Sequence, residues 1–199
     1  MISINKINNS KPYKIFYKLY SDAIEANQSN IEAIAISSFN QSLGEVESRF
    51  VNLKYVNGNE WIFFSNYNSP KALQFNSHQQ ISALFYWSAT DTQIRIKAKI
   101  SKTSQDFSDE HYQSRSMKKN ALAHSSNQSS KVYSYEKVLE SYKKALSDEA
   151  LLLKRPDYWG GFSFTPYYFE FWQGDENRLN KRETYELIEN EWQYYFLQP

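Results

Sequence analysis

Gln93-Ile-Arg-Ile-Lys-Ala-Lys-Ile100 alternates apolar and polar residues without a break. Side chains on a β-strand point to opposite faces in turn. Ile94, Ile96, Ala98 and Ile100 are therefore expected to face a core, and Gln93, Arg95, Lys97 and Lys99 to face away from it. Just upstream, Ile81 to Ala89 is an almost continuous apolar and aromatic run of strand length. Farther back, Ile34 and Ile36 begin a strand, Asn40 to Gly44 reads as a polar turn, and Arg49 to Tyr55 makes the next strand. Asn57-Gly58 marks a tight hairpin, because both residues tolerate positive φ, and it leads into a strand over Glu60 to Asn66. Five strands with short connections and no helical crossovers predict an antiparallel sheet, closed into a barrel.

Helices are expected around that sheet. Ser10 before Lys11-Pro12 suits a helix start, and Phe16, Leu19, Tyr20 and Ala23 recur at helical spacing, so a helix is read over about 11–26. Ser69-Pro70 opens a short one through Phe75. A helical insertion is expected over about 106–153, with helices at Ser108-Asp-Glu-His and Tyr133 to Leu153 and polar sequence between them. Strands resume at Trp159 to Phe164 and Tyr168 to Trp172, and an amphipathic stretch runs on to Pro199. The expectation is one domain over 1–199, mainly β with peripheral helices.

Composition narrows the function. The 199 residues carry a net charge of +1 with no long basic run, which gives no support for a nucleic-acid partner. There are no cysteines, so disulfides, thiolate ligands and a cysteine nucleophile are excluded; the three histidines, His78, His111 and His124, lie far apart, and no metal site is expected. No apolar run is long enough to span a bilayer and no signal peptide is evident, so the protein is expected to be cytoplasmic, without a membrane partner. Trp159-Gly-Gly-Phe-Ser-Phe-Thr-Pro-Tyr-Tyr-Phe-Glu-Phe-Trp172, followed by Arg178-Leu-Asn-Lys-Arg182, brings aromatics, a glycine pair and two arginines into one segment. A concave site for a flat, charged ligand needs such parts.

Several segments resemble one family. Arg49-Phe-Val-Asn-Leu-Lys54, Phe63-Phe-Ser-Asn-Tyr-Asn-Ser-Pro-Lys71, Phe85-Tyr-Trp87, Thr92-Gln-Ile-Arg95, Gln128-Ser129, Trp159-Gly-Gly and Glu170-Phe-Trp172 occur in the order and at the spacing of the pyridoxamine 5'-phosphate oxidases. The resemblance runs from the first helix to Pro199. It implies an FMN-binding split β-barrel, antiparallel and Greek-key-like, assembled as a homodimer with FMN at the interface. The implied cofactor positions are Arg49, Phe50, Val51, Asn52, Leu53, Lys54, Phe64, Ser65, Lys71, Gln93, Gln128, Ser129, Trp172 and Arg182. Arg49 and Lys71 suit a phosphate, with hydroxyls from Ser65 and Ser129; Gln93 suits the flavin's carbonyl and ring-nitrogen edge, and Trp172 offers a flat face. Strand alternation places Arg49 and Lys54 on opposite faces, so they touch different ligands, or one ligand through a bulge or across the dimer.

The resemblance also implies a substrate set for a phosphorylated pyridine: Lys54, His111, Arg115 and Lys119, with Arg178 and Asn180 as the catalytic positions. The reaction implied is oxidation of pyridoxine or pyridoxamine 5'-phosphate to pyridoxal 5'-phosphate, with oxygen as acceptor and hydrogen peroxide as by-product. The chain departs from the family's pattern where His111 and Lys119 replace a Tyr and a Ser, and where Asn180 replaces a His. Pro70 and Thr92 each replace an Arg, and His124 stands for a Trp, as a surface or interface residue without chemistry. Asn180 cannot take a proton at neutral pH, so slower turnover or a shifted substrate is expected. Two alternatives stand beside the oxidase: a split-barrel flavoprotein with another substrate, and a non-catalytic protein that binds FMN or pyridoxal phosphate.

Overall fold

The computed structural model describes residues 1–199. Its strands are β1 (Ser3–Lys6), β2 (Ala33–Asn40), β3 (Glu45–Asn52), β4 (Tyr55–Asn57), β5 (Glu60–Asn66), β6 (Gln80–Trp87), β7 (Thr92–Lys102), β8 (Trp159–Gln173), β9 (Lys181–Ile188) and β10 (Glu191–Leu197). The helices are α1 (Lys11–Glu25), α2 (Pro70–Ser77), α3 (Gln105–Gln113), α4 (Met117–Ser125), α5 (Tyr135–Leu146) and α6 (Glu149–Leu152). All ten strands join one sheet in the order β1-β4-β5-β8-β7-β6-β2-β3, with β9 added to β8 and β10 to β9. The predicted alternation holds on β7: Ile94, Ile96, Ala98 and Ile100 are buried, while Arg95, Lys97 and Lys99 are exposed.

The sheet forks at β8. One edge of β8 pairs with β7 from Phe162 to Gln173. The other edge pairs with β5 from Trp159 to Phe164, then with β9 from Tyr168 to Gln173. Between the branches the register shifts, because Lys97 opposes Tyr168 while Ala98 opposes Pro166. Tyr167 is thus an extra residue, a β-bulge that bends the strand. Pro166 has no amide hydrogen to donate to a ladder, so it falls where neither branch pairs.

Between the branches lies an aromatic core. On α1, Tyr13, Phe16, Leu19, Tyr20 and Ala23 are buried against the sheet. Phe16 lies 4.4 Å from Trp61 between ring centroids, and Tyr13 meets Phe169 edge-on at 5.2 Å. Phe169 also neighbours Trp61 at 5.9 Å and both Phe171 and Trp192 at 5.7 Å.

Several expectations need correction. The sheet is not wholly antiparallel, since β1 pairs with β4 in parallel, and its strand path is open rather than closed. The Arg49–Tyr55 strand breaks at Leu53 and Lys54, which join β3 to β4. The hairpin turn is shifted by one residue: Asn57 still pairs with Glu60, so Gly58 and Asn59 make the turn, with Gly58 at φ +66°. The two strands at 159–164 and 168–172 are one bulged strand, and the stretch to Pro199 is the β9–β10 hairpin. Helix α4 occupies the segment read as merely polar, and α3 starts earlier, with Ser104 accepting from the Phe107 amide. Ser10 and Ser69 stand at the starts of α1 and α2, but neither side chain caps.

Phe169→Ala is expected to lower stability by about 3–5 kcal/mol, the usual cost of emptying a buried aromatic site. Urea unfolding checks it, with a lower midpoint at unchanged slope as the expected result.

Candidate functional site

A cavity of about 590 Å³ opens between β3, β5 and the α3–α4 helical pair. Lys54, Lys71, Arg115 and Lys119 all line it, and no Asp or Glu does. Lys71 is buried and Arg115 half-buried, neither with a carboxylate partner, and cations withdrawn from water without a counter-ion are costly, so the arrangement calls for an anionic ligand.

At one end stands Lys71, 8% exposed, brought in by the first turn of α2. Its Nζ donates to Ser65 Oγ at 3.1 Å and Ser69 Oγ at 3.2 Å. Burial first, and then the Arg49 charge, pull its pKa down to about 8. Ser65 Oγ donates in turn to Gln128 Oε1 at 3.0 Å, and the Asn66 amide donates to the same oxygen. These are hydroxyls and a cation gathered without a carboxylate, a donor set that fits a phosphate ester.

The other end is built by the α3–α4 turn. Arg115 lies over the Trp159 ring at 4.1 Å, donates from Nη2 to the Lys119 carbonyl at 2.6 Å, and keeps its buried Nη1 without a partner. His111 stacks on Phe64 at 3.7 Å and 12°, and Phe64 stacks on Trp159 at 5.4 Å. These parallel rings are an aromatic wall, with Arg115 over the face of Trp159. The glycines after Trp159 let the chain pass close beneath: a Cβ at Gly161 would sit 2.5 Å from Thr103 Oγ1, and one at Gly160 would collide with the Tyr67 hydroxyl.

The cavity brings together Phe50, Val51, Asn52, Lys54, Phe64, Ser65, Lys71, His111, Arg115, Lys119 and Gln128. Lys54 reaches it because the strand has ended, which removes the opposite-face conflict with Arg49. Arg49 itself is not in the lining; it donates to Ser38 Oγ, the Ile36 carbonyl and Gln74 Oε1 and pairs with Glu47 at 3.3 Å. Leu53 is fully buried in the core, and Ser129 is exposed at φ +68°.

A second group lies elsewhere on the chain. Gln93, Trp172 and Arg182 are directly opposite one another on β7, β8 and β9. Arg182 donates from Nε to Glu170 Oε1 at 2.8 Å and from Nη1 to the Gln198 carbonyl at 2.9 Å. Arg178 and Asn180 sit in the β8–β9 loop, where Arg178 is exposed at φ +63° and its amide donates to the Asp175 carbonyl. Asn180 Oδ1 accepts from the Asp175 amide at 3.1 Å, so the loop already uses its carbonyl.

Sequence reasoning singled out the aromatic segment that opens on Trp159 and its Gly-Gly pair but gave Trp159 itself no place among the site residues. It missed Ser114, Ser116 and Ser126 in the lining, which carried no signal. His124, expected to have no chemistry, lies outside this cavity and bonds through Nε2 with the Tyr112 hydroxyl and the Lys154 carbonyl.

Burial first, then Arg115, Lys54 and Lys119, push the His111 pKa down to about 4. The fold therefore favours neutral His111, a contribution fully present above the unfolded value of about 6.5 and lost as pH falls from there through 4. Ring NMR of the ligand-free protein is expected to show His111 uncharged at pH 6, and Lys119→Ala is expected to move its midpoint upward.

A family model described as the pyridoxine 5'-phosphate oxidase C-terminal dimerisation region matches residues 159–199. Pyridoxine/pyridoxamine 5'-phosphate oxidase 1 of Hydrogenovibrio crunogenus is 32% identical over 191 residues, covering 94% of this chain and 88% of its own. The pyridoxine/pyridoxamine 5'-phosphate oxidase of Cytophaga hutchinsonii is 36% identical over 180 residues, covering 88% of this chain and 82% of its own. Among solved structures, PhzG from Burkholderia lata, in complex with tetrahydrophenazine-1-carboxylic acid, superposes with a TM-score of 0.89 at 25% identity, covering 96% of this chain and 93% of its own. A pyridoxamine 5'-phosphate oxidase-related, FMN-binding protein from Nostoc punctiforme shares the fold, with a TM-score of 0.76 at 12% identity over 96% of this chain and 99% of its own. Curated relatives above 30% identity, aligned along nearly the whole chain, make this protein a member of the pyridoxine/pyridoxamine 5'-phosphate oxidase family.

Proposed function

We propose that residues 1–199 act as one FMN-binding unit that oxidises pyridoxamine or pyridoxine 5'-phosphate to pyridoxal 5'-phosphate, as a step of pyridoxal phosphate formation. The observation that carries this is the cavity itself: four cations, stacked aromatic walls and no carboxylate in the lining. Such a site complements a flat ring bearing a phosphate ester. FMN, when bound, supplies the acceptor for the hydrogen of the carbon bearing the amine or hydroxyl and returns the electrons to oxygen, giving hydrogen peroxide.

The chain's own residues bind and orient. Lys71, with Ser65, holds the cofactor's phosphate, and Gln128 holds Ser65 in place. Lys54, Arg115, His111 and Lys119 hold the phosphate of the substrate, whose ring lies against the Phe64–Trp159 wall. Gln93, Trp172 and Arg182 lie outside that lining, and so do Arg178 and Asn180. We assign them to a site shared between two copies of the chain, so that the working form is a homodimer; the match of residues 159–199 to a dimerisation region supports this reading. Arg178 has no side-chain partner of its own and fixes the substrate at the reacting carbon. Asn180, whose carbonyl already accepts from the Asp175 amide, presents its side-chain N–H donors and orients without taking a proton.

A second reading is a flavoprotein acting on a different anionic ring. It is favoured by the His111, Lys119 and Asn180 replacements and by PhzG, a similar protein whose ligand carries a carboxylate. Anaerobic mixing of the FMN-loaded protein with pyridoxamine 5'-phosphate separates the two. The oxidase predicts bleaching of the flavin's visible absorption, then return of colour and pyridoxal 5'-phosphate on admitting air. Persistent colour with flavin bound would favour the second reading.

Arg178→Ala is expected to lower kcat/KM by about a hundredfold or more with FMN still bound; an unchanged rate would remove its assigned role. FMN affinity is expected to fall as pH rises above about 8. Above that value Lys71 must regain a proton to meet the phosphate, which costs up to roughly tenfold per pH unit. Fluorescence titration between pH 7 and 10 checks it, and Lys71→Met is expected to flatten the profile.

A further inference from the structure

Beside the cavity, and outside its lining, stands a residue that neither the motifs nor the proposed roles absorb. Tyr55, on β4, places its hydroxyl 2.8 Å from His111 Nδ1. Its ring is wedged edge-on against the aromatic wall, 5.4 Å from Phe107, 6.2 Å from Phe64 and 5.4 Å from His111 at 85°. The ring is therefore held in place by packing on three sides, and its hydroxyl also lies within reach of the Ser114 side chain. The other ring nitrogen of His111, Nε2, has no protein partner, and it is not among the buried unpartnered atoms, so it is open to the cavity.

Charge around this ring decides its chemistry. Arg115, Lys54 and Lys119 face it, and Glu32, just before β2, lies 3.8 Å from Lys54 while also pairing with the N-terminal amine at 3.4 Å. A fourth positive charge is disfavoured there, and His111 stays neutral with a single N–H. If that hydrogen sat on Nδ1, Nε2 would present a lone pair to an incoming anion. A phenol that donates to Nδ1 forces the hydrogen onto Nε2 instead.

We propose that Tyr55 is a positioning residue for substrate: by donating its hydroxyl to His111 Nδ1, it makes neutral His111 a hydrogen-bond donor through Nε2 to the substrate's phosphate. The proposal rests on the oxidase reading for the identity of the substrate; the 2.8 Å contact that carries the tautomer is independent of that reading. It also gives the His111 replacement a meaning, since a neutral donor adds a bond to the anion without adding a fourth positive charge beside Arg115, Lys54 and Lys119.

Two measurements test it separately. Ring-nitrogen NMR of His111 at pH 7, with saturating inorganic phosphate, is expected to show the Nε2–H tautomer in the native protein and its loss in Tyr55→Phe. The same tautomer in both would overturn the proposal, whether or not any pyridine is a substrate. In turnover, Tyr55→Phe is expected to raise KM for pyridoxamine 5'-phosphate by roughly three- to tenfold, the worth of one neutral hydrogen bond, with kcat and FMN affinity unchanged. On a His111→Ala background the same substitution is expected to do nothing more. An equal further rise there would mean that Tyr55 acts by packing, and would overturn the proposal. Absence of turnover with a normal tautomer result would count against the oxidase reading alone.

Discussion

Everything in this chain is arranged about the fork in β8. A strand has two hydrogen-bonding edges, and β8 gives one to β7 and divides the other between β5 and β9. Main-chain amides left unpaired inside a protein are costly, so the division needs a point where no pair is required. Pro166, which has no amide hydrogen, and the extra residue Tyr167 supply it. The β5 branch carries Phe64 and Ser65 into the cavity, opposite Gly161 and Gly160. The β9 branch carries Arg182 opposite Trp172. One bulge thus sends the two branches, and the candidate site residues they carry, in different directions.

The cavity sets electrostatic cost against ligand complementarity. Lys71 and Arg115 are both pulled down in pKa by burial, and the neighbouring Arg49 lowers Lys71 further. An apolar lining would stabilise the ligand-free fold better. What the cations provide is a site that gains most when an anion enters. The stacked Phe64, His111 and Trp159 rings form one wall of that site, with the Arg115 charge over the Trp159 face.

Much of this was legible in the residues. The alternation over Gln93 to Ile100 marks a strand with one buried face because side-chain period is a local property of backbone geometry. Helix α1 was equally legible, from apolar spacing and Pro12. Helix α4 was not, because its sequence, Met-Lys-Lys-Asn-Ala-Leu-Ala-His-Ser, has little one-sided apolar character and is held by Tyr112, Leu152 and the cavity wall instead. The parallel β1–β4 pairing was hidden for a similar reason: a strand of four residues, mostly polar, owes its place to its neighbour. Of the site, the ordered motifs carried Lys54, Lys71 and Trp159 and the resemblance added His111 and Arg115, while Tyr55 and the place of the Trp159 ring in the wall emerged only from packing.

By itself, then, the sequence determined that the chain is a sheet with helices around it, that it has no cysteine chemistry, and that its motifs are those of a flavin-dependent oxidase family. These are properties of residue type, local period and order along the chain. Tertiary structure alone decided that Lys54 leaves its strand in time to share a cavity with Arg115, and that Arg178 and Asn180 lie outside that cavity's lining. It also decided that Tyr55 meets His111 across 56 residues of chain. Such pairings depend on where the sheet bends and which edges meet, and no local pattern encodes them.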